Sequence, residues 1–452
     1  MRSILPQNLI KLAQNCPAPL YVVGGSVRDF LAGLSAKGSS DFDLCSAMDG
    51  ELFAKAAQKS GFSITATYKN TGTVKLSDKQ TNAEYEYTRF RSDKYVRGVH
   101  TPVKTFFTDD IKLDAKRRDF TANAVYYDVQ KDDFVDPLQG IPAIKEKRLT
   151  TVAPATKVFG EDGLRLMRLA RQSAQLGFTP DDDCFNGATQ NAALIRDISP
   201  ERIFAELSAI LTADEKYGNI GGVYTGLSLL DKTRVLDEII PELTLGRDMR
   251  QRPDFHKYDV LEHSLRACAY AKKEIRLAAL LHDVGKPLCF LRDGNTHAHP
   301  DEGATIASGI LRRLKAPTRT IEKTKKLIAL HMYDFDCKTG ENKLRRFFAE
   351  NYAILDDLLS LKQADYSACM DDFSPAPTVI KWQTLLDRLK AERAPLSLKE
   401  LAVNGKDLLN ADLPAPLLGK LLHKLLLHCV CNPQDNEKTR LLKLAKGFIS
   451  GI

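Results

Sequence analysis

The sequence lacks any run approaching the roughly 18 apolar residues of a membrane-spanning helix; Leu425-Leu426-Leu427 is flanked by Lys424 and His428. Met1 to Asn15 has no sustained apolar region, so no signal peptide is expected. Nine cysteines in 452 residues, with Cys429-Val430-Cys431 as the only close pair, form neither a disulfide framework nor a zinc pattern. A protein of the reducing cytoplasm, with no membrane partner, fits these absences. Internal repeats and low-complexity segments are also missing. An excess of one charge is nearly absent: 65 Lys+Arg against 58 Asp+Glu leaves +7, which permits nucleic-acid binding without requiring it.

What is present is ordinary for a soluble protein, 43% hydrophobic and 27% charged, and long enough for about two to four domains. Leu20-Tyr21-Val22-Val23 is β-prone and stops at Gly24-Gly25, and Val27 to Leu34 then has helical spacing. This reads as strand, tight turn, helix. Glycines let backbone amides approach a phosphate, and Arg28 adds a charge. Asp41-Phe42-Asp43 follows, and in a strand its two carboxylates would project from one face, as a divalent-cation site requires. Taken singly, an Asp-x-Asp is also a solvated strand end and a Gly-Gly also a plain turn. In this order and within about twenty residues, they point to nucleotide transfer from an NTP.

Gly24-Gly25-x-Val27-Arg28-Asp29 followed by Asp41-x-Asp43-Leu44 resembles the opening motif of the class II branch of the polymerase β nucleotidyltransferase superfamily, which contains the CCA-adding tRNA nucleotidyltransferases and bacterial poly(A) polymerases. The resemblance implies an α+β fold: a nucleotidyltransferase head (1–140), then a helical neck (141–240), an HD metal-binding domain (250–371) and a helical tail (372–452). It implies CTP and ATP as substrates, tRNA as partner, and two Mg²⁺ ions held by Asp41, Asp43 and Glu86. One ion would activate the RNA 3′-hydroxyl and the other would neutralise the pyrophosphate. Gly24, Gly25, Ser26, Arg28 and Asp29 would hold the triphosphate.

Segments Gly50 to Ser60 (helix), Ser63 to Tyr68 and Val74 to Leu76 (strands) complete the early pattern. Glu84 to Phe90 alternates strictly, so Glu84 and Glu86 share a face that is either solvated or catalytic. The resemblance assigns the third carboxylate to Glu86, with Glu84 as its alternative. Arg91 to Lys116 reads as a polar surface loop; the family has a mobile loop here. Arg117, Arg118, Asp119 and Asn123 lie too close together to be isolated from one another, and either pair or bind something. The alternative is a helix start capped by Asp119. The family uses this string on the sugar side of the NTP. Asp136-Pro137-x-x-Gly140 reads as a turn leaving the head.

Phe159 to Arg168 reads as one helix with acids in its first turn and Asp162, Arg165 and Arg168 on one face. An arbitrary pair of this kind is a surface ion pair. The family instead reads the base with the matching Asp and first Arg: arginine donates to C or A, and the acid accepts from the exocyclic amine that both bases carry. Ser199-Pro200 reads as a capped helix start.

Six of the nine histidines lie between 256 and 331. His282-Asp283 with His263 and Asp365 resembles the metal set of HD phosphohydrolases, and His299 and His331 could bind a second ion. Such ligands suit Mg²⁺ or a divalent transition metal rather than structural zinc. The tail resembles that of HD-containing CCA enzymes but lacks a Gly-Pro turn near Ala411 to Pro416. Two alternatives stay open: a poly(A) polymerase, although the basic signature of that branch after Gly72 is missing, and an HD phosphohydrolase or phosphodiesterase with a degenerate head.

Overall fold

In the computed structural model the described residues are 1–34, 42–96, 99–409 and 415–448. The chain forms two compact units, Met1–Thr244 with Arg313–Ala316, and Leu245–Arg312 with Pro317–Ile452.

The first unit opens with α1 (Gln7–Asn15), β1 (Tyr21–Val23), α2 (Gly25–Leu31), β2 (Asp43–Ser46) and α3 (Gly50–Lys59), followed by β3 (Phe62–Tyr68), β4 (Thr73–Asp78) and β5 (Glu84–Arg89). A hairpin of β6 (Arg91–Val96) and β7 (Val99–Phe107) leads to α4 (Ile111–Lys116), β8 (Tyr126–Asp128) and β9 (Asp133–Val135). Seven strands make one sheet in the order β3-β4-β5-β2-β1-β8-β9. Its neighbours are antiparallel except β2 and β5, which are parallel. The alternation in β5 buries Tyr85 and Tyr87 and exposes Glu84 and Glu86. Phe53 of α3 stacks on Tyr87 with centroids 3.7 Å apart, covering that face. Val23, Cys45, Phe90 and Tyr126 pack with Ala115 and Val158 as a second buried cluster.

The hairpin corrects the expectation of a loop over 91–116. Its strands form because side chains bond along and across it: Asp93 accepts from Arg91 at 3.2 Å and from Thr105 at 3.0 Å. Arg97-Gly98 lies outside the described residues.

The neck comprises α5 (Gly140–Lys145), β10 (Arg148–Leu149), α6 (Ala155–Glu161), α7 (Leu164–Leu176), β11 (Thr179–Pro180), α8 (Asp182–Asn191), α9 (Pro200–Leu211), α10 (Ala213–Tyr217), α11 (Gly222–Lys232), α12 (Val235–Ile239) and α13 (Pro241–Thr244). The parallel pair β10–β11 departs from an all-helical neck. Asp136 accepts from the amides of Gly140 and Ile141 and so starts α5. Helix α9 begins with Pro200 after Ser199, but the serine hydroxyl makes no capping bond.

The second unit is helical among its described residues: α14 (Val260–Tyr270), α15 (Arg276–Leu281), α16 (Lys286–Asp293), α17 (His299–Arg313), α18 (Thr318–Leu330), α19 (Glu341–Asn351), α20 (Leu355–Met370), α21 (Pro377–Ala391), α22 (Gly405–Leu409), α23 (Leu418–Cys429) and α24 (Lys438–Phe448). One hydrophobic cluster runs from Ala267 to Ala445 and takes in residues from both the expected HD domain and the expected tail. At its centre Trp382 is fully buried against Tyr333, Phe347 and Phe348, and its indole N–H donates to Asp334 at 2.9 Å.

Local pattern offers no reason to single out one buried acid of the head. Asp114 on α4 accepts from Arg117 Nε at 2.7 Å, Arg118 Nη2 at 3.2 Å and Tyr126 Oη at 2.7 Å. Burial alone would raise its pKa, but the charges of Arg117 and Arg118 and the Tyr126 bond hold it at about 2. Since this lies below the ordinary 3.8, the ionised carboxylate contributes fully above that value, and its contribution is lost as pH falls from there toward 2. Asp114→Ala strands two arginines and is expected to cost about 3–5 kcal/mol. Urea denaturation of the variant at neutral pH, with a midpoint unchanged from the parent, would contradict this.

Candidate functional site

Parallel pairing of β2 with β5 sets Asp43 in register with Glu86. Both are exposed side chains at the start of the β2 pairing, and Lys75 Nζ lies 3.8 Å from Glu86. Glu84 falls outside the registered β2–β5 pairs and sits opposite Ser77 of β4. Asp41 lies outside the described residues. Strand β2 begins at Asp43.

The turn after β1 passes beside these carboxylates. Gly24 has φ +86°, and a Cβ there would stand 3.0 Å from Asp43 Oδ2, so only glycine brings the loop this close in this conformation. Ser26 Oγ is buried with no partner among the described residues, a donor waiting for an acceptor. Gly25 opens α2.

Arg28 is placed differently from the expectation of a phosphate contact. It is 6% exposed, and its guanidinium points into a buried network. Nη2 meets Asp29 at 2.7 Å, and Nη1 donates to Asn123 at 2.7 Å and Gln172 at 3.2 Å. Asn123 donates to Asp119 at 2.9 Å, and Arg168 meets Asp119 at 2.6 Å. Burial opposes ionisation of Asp119, but Arg168 and Asn123 hold its carboxyl well below the usual range. Tyr217 of α10 donates to Asp29 at 2.6 Å. The paired reading of Arg117 to Asn123 is therefore the observed one; Asp119 accepts from its neighbour Phe120 rather than capping an α-helix.

Sequence reading missed Gln172 and Tyr217. Gln172 follows Arg165 by seven residues and Arg168 by four, the same helical face, which was the available signal. Tyr217 carried none.

The helix expected over Phe159 to Arg168 is broken. Helix α6 ends at Glu161, Asp162 is extended (φ −150°, ψ 106°), and α7 starts after Gly163. Gly163 permits this because a Cβ there would stand 2.5 Å from the Leu194 carbonyl. Asp162 instead accepts from the Leu164 amide at 3.0 Å. Arg165, 5% exposed, pairs with Glu161 rather than Asp162, at 3.1 Å, and donates to the carbonyls of Val158 and Arg117 at 2.9 and 2.8 Å. The Tyr95 ring of β6 lies 5.5 Å from its Cζ. The fork is thus fixed in place by the protein itself.

The second unit brings together His263, His282, Asp283, His299, His331 and Asp365. His263 Nε2 lies 3.2 Å from His282 Nε2 and 3.1 Å from Asp365 Oδ1. Asp283 spans two groups: Oδ2 is 3.3 Å from His282 and 3.6 Å from His263, and Oδ1 is 3.3 Å from His299 and 3.8 Å from His331. Lys286 Nζ stands 2.6 Å from Oδ2. His282, His299 and His331 each direct Nδ1 at a main-chain carbonyl, of Ala279, Thr296 and Ile328, at 2.8, 2.6 and 2.6 Å. That contact fixes the proton on Nδ1 in a neutral ring and turns the Nε2 lone pair inward. Two such lone pairs, on His299 and His331, meet at 3.2 Å, which is repulsive unless a cation or proton lies between them. Burial would lower the pKa of His282, yet Asp283 and Asp365 raise it to about 10. Burial and that neighbouring charge take His331 down to about 3. Imidazole and carboxylate donors, the imidazoles aimed by the carbonyls behind them, fit divalent cations: His263, His282 and Asp283 could hold one, and Asp283, His299 and His331 could hold one. In the head, the carboxylates Asp43 and Glu86 fit a hard ion.

The first 150 residues contain a match to the poly A polymerase head domain over residues 20–150. Residues 177–245 match the "Probable RNA and SrmB-binding site of polymerase A", and residues 303–445 match tRNA nucleotidyltransferase domain 2. Along most of its length the chain is thus similar to tRNA nucleotidyltransferases and poly(A) polymerases. Among its relatives, the A-adding tRNA nucleotidyltransferase of Deinococcus radiodurans is 29% identical over 90% of this chain and 91% of that one. The CCA-adding enzyme of Geobacillus stearothermophilus is 29% identical over 93% and 91%. The crystal structure of the Bacillus stearothermophilus CCA-adding enzyme in complex with CTP superposes with TM-score 0.68 over 98% of both chains at 24% identity. The Thermotoga maritima CCA-adding enzyme complexed with tRNA gives 0.59 over 98% and 94% at 15%; these two likenesses establish the fold. No helix among the described residues is long and apolar enough to cross a membrane.

Chelator-stripped protein is expected to gain thermal stability on adding Mn²⁺ or Co²⁺, by about 2.7 kcal/mol at a hundredfold excess over Kd. His282→Ala should lose most of that gain. A melting temperature that no divalent ion moves would contradict the assignment of the histidine cluster.

Proposed function

We propose that the protein is a tRNA nucleotidyltransferase that adds the 3′-terminal CCA to tRNA from CTP and ATP without a nucleic-acid template, releasing pyrophosphate, in the cytoplasm. The observation that carries this reading is the register of Asp43 with Glu86 beside the Gly24 loop, in a chain whose near-full-length relatives include CCA-adding enzymes as well as an A-adding one. Asp43 and Glu86, with Asp41, hold Mg²⁺. Bound there, Mg²⁺ supplies the positive charge that favours in-line attack by the RNA 3′-hydroxyl on the α-phosphorus and departure of pyrophosphate.

The remaining work falls to the chain's own groups. Gly24, Gly25 and Ser26 approach the phosphates, and the unpartnered Ser26 hydroxyl donates to one of them. Arg28 and Asp29 keep that loop seated on Asn123, Gln172 and Tyr217. Arg117, Arg118, Asp119 and Asn123 support the sugar side. Asp162 accepts from the exocyclic amine of C or A, and Arg165 donates to the same base edge with the N–H groups not spent on Val158, Glu161 and Arg117. Arg168 holds Asp119 and thereby the base-reading helix against the head. Lysines and arginines on the helical part meet tRNA phosphates with little sequence readout.

The His263, His282, Asp283, His299, His331 and Asp365 cluster is an HD-type centre for divalent transition ions or Mg²⁺. Such ions supply the Lewis acidity for hydrolysing a phosphoester, an accessory activity beside the transferase.

Asp43→Ala and Glu86→Ala should each cut transfer of labelled CTP and ATP to tRNA lacking its 3′ end by at least about 10³-fold. Glu84→Ala should stay within threefold of the parent. Equal losses for Glu84 and Glu86 would overturn the assignment of the third carboxylate. Retained activity in Asp43→Ala would overturn the metal site.

A further inference from the structure

A set of donors that this chemistry does not use adjoins the histidine cluster. His256 comes from the turn before α14, and Cys369 stands on α20 one turn past Asp365. With His263, their donor atoms all lie within 4.8 Å of one another. The His256 and His263 rings meet edge to face at 5.2 Å. His263 is the exception among the inward-facing imidazoles. While His282, His299 and His331 give Nδ1 to a carbonyl, its Nδ1 is buried with no partner among the described residues, and so is that of His256. His263 is 0% exposed, so bulk solvent does not reach that nitrogen. The Cys369 thiol makes one weak contact, donating to the Asp365 carbonyl at 3.4 Å.

A buried, unpartnered imidazole nitrogen is a standing cost, and two of them beside a thiol call for a shared ligand. Imidazole nitrogen and thiolate sulfur are donors for a borderline or soft cation, and poor ones for Mg²⁺. We propose that His256, His263 and Cys369 bind a thiophilic divalent cation such as Zn²⁺, Co²⁺ or Fe²⁺ at a position of its own, adjoining the Asp283-bridged pair and sharing His263 with it. On binding, the thiol proton leaves to solvent and the sulfur–cation bond replaces the contact with Asp365; when the Asp283-bridged pair is filled too, the His263 ring proton also leaves to solvent and the ring bridges as imidazolate. The thiolate then adds a negative charge to those of Asp283 and Asp365, against the ammonium of Lys286.

The test is a Co²⁺ titration of the metal-stripped full-length protein. A near-ultraviolet thiolate-to-cobalt charge-transfer band is expected. Cys369→Ala should abolish it, Cys268→Ala should leave it intact, and His256→Ala should weaken the Co²⁺ affinity read from that band about tenfold or more. The visible bands of cobalt in the histidine–carboxylate pair, lost in Asp283→Asn, report separately on the HD-type reading. If the charge-transfer band forms without them, this site stands and that reading fails. If Co²⁺ binds with no charge-transfer band, or the band survives Cys369→Ala, this site is refuted whatever the pair does.

Discussion

Everything in the first unit hangs on a carboxylate that is buried and kept charged. Asp119 lies between a head segment and helix α7 of the neck, and four groups converge on it: the Phe120 amide, Asn123, Arg168 and Gln172. Taking a carboxylate out of water is costly unless its oxygens are satisfied. Here they are satisfied only when head and neck are in one arrangement. Arg28 joins the same network through Asn123 and Gln172. The glycine loop beside Asp43 is therefore held to the helix that carries Arg165. The glycine loop and the start of that helix are positioned by one set of hydrogen bonds.

In the function we propose, that constraint is what lets protein side chains read C or A. A flexible arginine would lose orientation each time a nucleotide left. Arg165 is held by two main-chain carbonyls and by Glu161, so little rotamer freedom is lost when a base arrives. The break at Asp162-Gly163 has the same effect on the acid: the residue leaves the helix, and one of its oxygens is tied to the Leu164 amide. The histidine cluster of the second unit follows the same logic with a different chemistry, since its imidazoles are aimed by carbonyls behind them. Lys362 adds to this by donating to the His331 and Tyr333 carbonyls at 2.8 and 2.6 Å.

Much of this was legible in the residues. The strict alternation of Glu84 to Phe90 gave β5 and its exposed acids, and two glycines after a β-prone run gave the turn that opens α2. Local pattern could not choose between Glu84 and Glu86, because the choice rests on the register of a non-adjacent strand. The β6–β7 hairpin was hidden because its sequence is polar and its pairing is secured by Asp93, Arg91 and Thr105 rather than by apolar alternation. The α6–α7 break was hidden because Gly163 answers to a carbonyl on a distant segment, that of Leu194. Asp114 and Gln172 are polar residues placed in a core, and composition reads such residues as surface.

The most direct test of the central claim is the identity of the product. Purified wild-type protein would be given tRNA lacking its 3′ end, Mg²⁺, and labelled CTP and ATP, separately and together, and the extended ends would be sequenced. A head tied to a base-reading helix predicts C, C, then one A, and a halt. Open-ended addition of A to general RNA would contradict the account, and so would addition of A only to tRNA already ending in CC.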